Sequence, residues 1–169
     1  NTQLMFRLKD GKLNMTVTNR SNDIIWGMLG ANVVHMTYLH ELIAHAIGAS
    51  VGVYRVFTNN AHTYLANPQT TSLLALTAPH DVYAGSGYAP RALLLPGETE
   101  DQLLQACRKA IAMPWEARYG VHFVDHIYVP MRDTYRLRKQ KKPYNDELAK
   151  IAAPDWRYAA SQWCMRRDT

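Results

Sequence analysis

Residues 3–23 read QLMFRLKDGKLNMTVTNRSND, and this stretch decides the fold. From Gln3 to Leu8 polar and apolar residues alternate, with Leu4, Phe6 and Leu8 on one face. Asp10-Gly11 follows, a dipeptide that accepts the positive φ of a two-residue hairpin turn. Leu13, Met15 and Val17 then alternate with Asn14, Thr16 and Thr18. A period of two is that of a strand with one face against a core. Two antiparallel strands, each with one buried face, are therefore predicted.

Working outward, residues 19–31 read as a loop that contains Gly27 and Gly30. Asn32 leads into a helix, because Val33, Val34, Met36, Leu39, Leu42, Ile43, Ala46 and Ile47 recur at helical spacing and Gly48 ends the run. Residues 51–58 read as a third strand and 59–67 as its polar continuation. Residues 66–98 are rich in Thr, Pro and Gly and declare no element. Thr99 caps a helix lined by Leu103, Leu104, Cys107, Ala110 and Ile111, which Pro114 stops. Residues 122–129, HFVDHIYV, read as a strand. Pro154-Asp155 opens a last helix, with Trp156, Ala160, Trp163 and Arg167 near one face. With no repeat and no linker, the expectation is one α+β domain over residues 1–169.

The chain has 169 residues, enough for a core, and 47% of them are hydrophobic against 20% charged. That balance excludes a disordered chain, and no apolar run approaches the ~20 residues of a membrane helix. Asn1 to Asp10 alternates and does not read as a signal peptide. Cys107 and Cys164 sit inside helical patterns, as buried thiols of a reduced, cytoplasmic protein would. The net charge is +5, and RDTYRLRKQKK at 132–142 carries six basic residues. No nucleic-acid motif accompanies the run, so it reads as a solvated face, or as a basic wall for phosphate or a polyglutamyl tail, rather than a nucleic-acid surface. His40 and His45 suggest a zinc helix, but their gap is five where a shared face needs four. The second ring turns roughly 140° away on a 3.6-residue helix, so surface or partly buried histidines are expected, and no metal.

Two polar clusters bear chemistry. Asn19-Arg20-Ser21-Asn22-Asp23 follows a strand directly, and an Arg beside a hydroxyl at a strand end is a good phosphate grip. In Asn59-Asn60-Ala61-His62-Thr63-Tyr64, His62 and Tyr64 stand two apart on an extended segment, so both point to one side and can bind a sugar hydroxyl. Asn32 has two readings. As an N-cap it needs no further role. As a side-chain amide it offers a donor and an acceptor that match N3–H and O4 of uracil.

Taken in order, DGKL, NRSND, an Asn before a long apolar helix and AHTYL resemble the thymidylate synthase family over about the first 70 residues. The resemblance implies an α+β fold, a thymidylate-synthase-like mixed β-sheet with packed helices. It implies roles position by position. Arg20 and Ser21 would hold the nucleotide 5′-phosphate, and Asn32 would read the pyrimidine edge. His62 and Tyr64 would bind the deoxyribose 3′-hydroxyl. Asp23 would face the folate as a catalytic residue ordering the water and proton network. Gly27 matches a family glycine that lets the loop pass close to ligand. The family acts as a homodimer, with 5,10-methylenetetrahydrofolate as the one-carbon donor.

The departures also count. The family nucleophile is a Cys followed by His, and counting back from Asp10 and Arg20 sets that Cys immediately before Asn1. Neither Cys107 nor Cys164 has a context to replace it. The expectation is a C-terminal portion, inactive alone, that needs the missing N-terminal segment. The loop from Asp23 to Asn32 is one residue longer than the family pattern, and the last residues, DWRYAASQWCMRRDT, lack the family tail that closes over folate. In the family a thiolate attacks C6, C5 takes the methylene carbon, and the exocyclic methylene then accepts hydride or water. An open site favours water, hence a 5-hydroxymethyl product, as in phage-type relatives acting in the host cytoplasm. Asn32 favours dUMP over dCMP. The alternatives are a thymidylate synthase proper, which methylates dUMP reductively, and a non-catalytic nucleotide-binding module of the same fold.

Overall fold

The Asp10-Gly11 turn forms as its sequence demands, with both residues at positive φ, 50° and 70°. It joins strand β1, Gln3–Lys9, to β2, Lys12–Asn19, in an antiparallel pair with Phe6 opposite Met15. This is a computed structural model, and it describes residues 3–66, 70–72, 75 and 88–168. Most of the Thr/Pro/Gly-rich stretch lies outside the described residues. Where the sequence shows no linker, the chain divides into two compact units, residues 1–79 and 80–169.

In the first unit β2 is central. After it come β3, Asn22–Asp23, a π-helical segment, Ile24–Ala31, and helix α1, Asn32–Ala46. Strand β4, Ser50–Thr58, then returns parallel to β2, and β5 is Ala61–His62. The result is a mixed sheet in the order β1-β2-β4. Helix α1 ends on Gly48 at φ 68°, whose N–H donates to His45 O, while Ala49 N–H donates to Ala44 O. This double closure needs a left-handed residue at that point, which glycine supplies.

Two expectations fail here. Leu13, Met15 and Val17 are buried as predicted, but every residue of β1 is exposed, Leu8 to 60%. The physical reason is coverage: α1 packs on β2 and β4, so among the described residues of this unit no helix layer covers the edge strand. The stretch expected to be a loop after Asp23 is π-helical instead.

The second unit is helical among its described residues. Thr99 caps α2, Glu100–Ala112, in a full capping box with Gln102. A second π-helical segment, Val124–Tyr128, runs into α3, Val129–Lys139, with α4 at Asn145–Ala149 and α5 at Pro154–Asp168. The strand expected at 122–129 is thus helical. Val121, Val124 and Ile127 are buried at a spacing of three, and Ile127 packs with Ile151 and Ala153 in the core. Cys164 is buried, but Cys107 is exposed, as are Leu104 and Ile111, so α2 turns Leu103, Ala106 and Ala110 inward instead. No helix among the described residues is long and apolar enough to cross a membrane.

Candidate active site

Because β2 and β4 run parallel, their carboxyl ends share one edge of the sheet, where open α/β sheets bind ligands. Both polar clusters leave from that edge. Two short strands lock them together: β3 pairs parallel with β5, Asn22 opposite Ala61 and Asp23 opposite His62. Asn22 N–H donates to Asn60 O at 2.9 Å, and Asn59 N–H donates to Asn19 O at 3.1 Å.

The side chains follow the backbone. Ser21 Oγ lies 3.2 Å from His62 Nδ1, and Asn60 Nδ2 donates to Ser21 Oγ at 3.4 Å. The rings of His62 and Tyr64 meet edge to face, 5.5 Å between centroids. Ser21, His62 and Tyr64, from two sequence clusters 41 residues apart, therefore form one continuous polar surface. Arg20 stands exposed just beyond β2, and among the described residues its guanidinium is tied to none of the others.

Asp23 does two things. Its Oδ1 accepts from Trp26 N–H at 2.5 Å and so caps the π-helical segment. Its Oδ2 is buried and has no hydrogen-bond partner among the described residues. A buried acceptor left unpaired is costly, so a donor from a bound molecule has a place to go.

The N-cap reading of Asn32 does not hold. The cap position is Ala31, and Asn32 is already at helical φ and ψ, −67° and −42°. Its amide is used differently: Nδ2 donates to Asn22 Oδ1 at 2.9 Å. Asn22 is 3% exposed. The role of Gly27 is then geometric, since a Cβ there would stand 1.9 Å from Asn22 Oδ1. Sequence reasoning assigned nothing to Asn22, Asn60 or the buried Asn19. The available signal was alternation, which turns residue 22 away from the side of Ser21 and Asp23.

Other candidates separate from this cluster. His40 is buried, contrary to expectation, and its Nε2–H donates to Leu13 O at 2.6 Å, fastening α1 to β2. Among the described residues no group of His, Cys, Asp and Glu could hold a metal. Although Cys107 is an exposed residue, partial desolvation of its sulfur pushes the thiol up, the wrong direction for a nucleophile. The basic run splits in use. Arg132 and Arg136 pair with Asp133 at 2.9 and 3.6 Å. Arg138, Lys139, Lys141 and Lys142 line a groove of about 590 Å³ with Arg167.

The sequence pattern of the family described as thymidylate synthase matches residues 1–82, the first half of the chain. The chain is 34% identical to the deoxyuridylate hydroxymethyltransferase of Pseudomonas phage M6, over 99% of this chain and 51% of that protein. It is 43% identical to the deoxyuridylate hydroxymethyltransferase of Bacillus phage SP01, over 38% of this chain and 17% of that one. The thymidylate synthase of Symbiobacterium thermophilum is 34% identical over 35% of this chain and 20% of its own length. The chain thus spans about half the length of the phage M6 protein. No solved structure matches it significantly.

Proposed function

We propose that the whole protein transfers a one-carbon unit to C5 of dUMP and completes the reaction with water, as a deoxyuridylate 5-hydroxymethylase. The observation that carries the reading is the β3–β5 bridge, which sets Ser21 3.2 Å from His62 and keeps Asp23 opposite it. Similarity to two phage proteins named deoxyuridylate hydroxymethyltransferase supports the choice of reaction.

In this reading Arg20 grips the 5′-phosphate with two parallel charge-assisted bonds, and Ser21 adds a hydroxyl. His62 and Tyr64 take the 3′-hydroxyl, with the His62 ring steadied by Ser21. Asn32 reads the pyrimidine edge. Asp23, whose Oδ2 is buried and unpaired, accepts an N–H of the folate and orders water beside it. When bound, 5,10-methylenetetrahydrofolate supplies the one-carbon unit. The protein works as a homodimer, a reading supported by Met5, Val53 and Phe57, all exposed apolar residues of the sheet.

The test is product analysis with the whole protein, dUMP and 5,10-methylenetetrahydrofolate. The expected product is 5-hydroxymethyl-dUMP with tetrahydrofolate released. Thymidylate with dihydrofolate would establish the reductive reaction instead, which the similarity to a thymidylate synthase keeps in view. Arg20→Ala should weaken dUMP binding by roughly 1.5–3 kcal/mol, the value of a hydrogen bond to a charged group, and full-strength binding would remove Arg20 from the site.

A further inference from the structure

The amide of Asn32 can present its donor and acceptor to a ligand in either order, depending on a flip about its last torsion. The two orders suit different bases. Oδ1 toward N3–H with N–H toward O4 fits uracil. The reverse fits cytosine, whose N3 accepts and whose exocyclic amine donates. Something must therefore hold the flip if one base is to be preferred.

We infer that Asn22 holds it, and is the positioning residue that sets the pyrimidine preference. Asn32 Nδ2 donates to Asn22 Oδ1 at 2.9 Å. A flip of Asn32 alone, with Asn22 packed as it is against Gly27, would bring Oδ1 against Asn22 Oδ1, two acceptors at hydrogen-bond distance with no proton between them. The flip would lose one bond and gain a repulsion. Asn32 thus keeps Oδ1 and one N–H for a ligand, in a fixed order.

Asn22 is itself well held. It is 3% exposed, its backbone bridges to Ala61, and its N–H donates to Asn60 O at 2.9 Å. Room for its amide exists only because residue 27 is glycine, where a Cβ would stand 1.9 Å from Asn22 Oδ1 and 3.0 Å from Asn32 Nδ2. A buried polar pair fitted this closely makes one arrangement of the site more stable than its alternatives. Asn22 touches no substrate in this account and acts through Asn32 alone. The inference rests on the proposed role of Asn32 as the pyrimidine reader.

Equilibrium binding of dUMP and dCMP to the whole protein tests it through the ratio of the two affinities. A change in fold stability weakens both nucleotides together and leaves that ratio alone. Asn22→Ala frees the flip, and the preference for dUMP should fall about tenfold, the equivalent of one hydrogen bond. Asn22→Asp offers only acceptors when ionised, so it should keep the wild-type preference. A preference unchanged in Asn22→Ala, or lost in Asn22→Asp, overturns the role of Asn22. A wild type that binds both nucleotides equally overturns the reading of Asn32, and this inference with it. Side-chain amide hydrogen exchange of the wild type without nucleotide adds a measurement that needs no variant. One Asn32 Nδ2 proton should exchange slowly, and two fast protons would overturn the proposal.

Discussion

Replacing Gly27 by alanine drives a methyl group into the Asn22–Asn32 pair, and its cost can be worked through. The new methyl would stand 1.9 Å from Asn22 Oδ1 and 3.1 Å from Asn22 Cγ. Even a close C–H···O contact needs about 3.3 Å, so the Asn22 oxygen must retreat by about 1.4 Å. It then loses Asn32, worth about 1 kcal/mol, and a buried amide is left unsatisfied at about 1–3 kcal/mol more. Alanine returns about 1 kcal/mol through helix propensity. The net is a loss of about 2 kcal/mol. With a urea dependence of about 1 kcal/mol per molar for a unit this small, the midpoint should fall by about 2 M. The same clash makes the effect conditional. In an Asn22→Ala background there is no side-chain oxygen to strike, so Gly27→Ala should be neutral or mildly stabilising. The two substitutions should therefore couple by about 2–3 kcal/mol in a double-mutant cycle. Additive effects, or a midpoint unmoved by Gly27→Ala alone, would refute the packing argument.

Three further predictions are independent of the nucleotide. His40→Leu removes the bond to Leu13 O at a fully buried site and should destabilise by about 1–3 kcal/mol, while zinc titration leaves both proteins unchanged. A zinc-dependent rise in wild-type stability would contradict the structural role. Thr99→Ala breaks a capping box in which Thr99 N–H donates to Gln102 Oε1 at 2.8 Å and Gln102 N–H to Thr99 Oγ1 at 3.3 Å. It should cost about 1 kcal/mol by chemical unfolding, with Thr99→Ser close to wild type. Partial desolvation raises the Cys107 thiol, so less thiolate is present at neutral pH. Its alkylation rate should still be climbing above the ordinary thiol value of about 8.5, and a plateau already reached by about pH 8 would show the shift has the opposite sign.

The strands, the Asp10-Gly11 turn, helix α1 and its Gly48 stop were legible because each is set by residues within a few positions of one another. The limits have a physical cause as well. Alternation in β1 reports that Leu4, Phe6 and Leu8 could share a buried face, but whether a layer covers them depends on where α1 lands, and it lands on β2 and β4. At 122–129 the apolar residues fit a strand when taken alone. The helical period appears only when Val121 is counted with Val124 and Ile127.

The site shows the same boundary more sharply. Arg20, Ser21, His62 and Tyr64 stand out in the sequence as an Arg beside a hydroxyl after a strand and a His-X-Tyr pair on an extended segment, in an order that resembles the family pattern. Asn22 could not, because its meaning depends on Asn32, ten residues away across a segment whose geometry no hydrophobic period announces. That segment is π-helical, with one residue more per hydrogen-bonded turn than α. The resemblance to the family pattern counts one residue more between Asp23 and Asn32 than usual, and the segment kinks at Gly30, whose φ and ψ of −120° and −125° are not helical, before it joins α1. The wide turn begins on the Asp23 cap, passes over Asn22 at Gly27, and delivers Asn32 to Asn22 Oδ1. The cap, the glycine and the amide pair are thus parts of one device. Asp23 fixes where the turn starts, Gly27 sets how closely it can pass, and Asn22 decides which way the delivered amide faces.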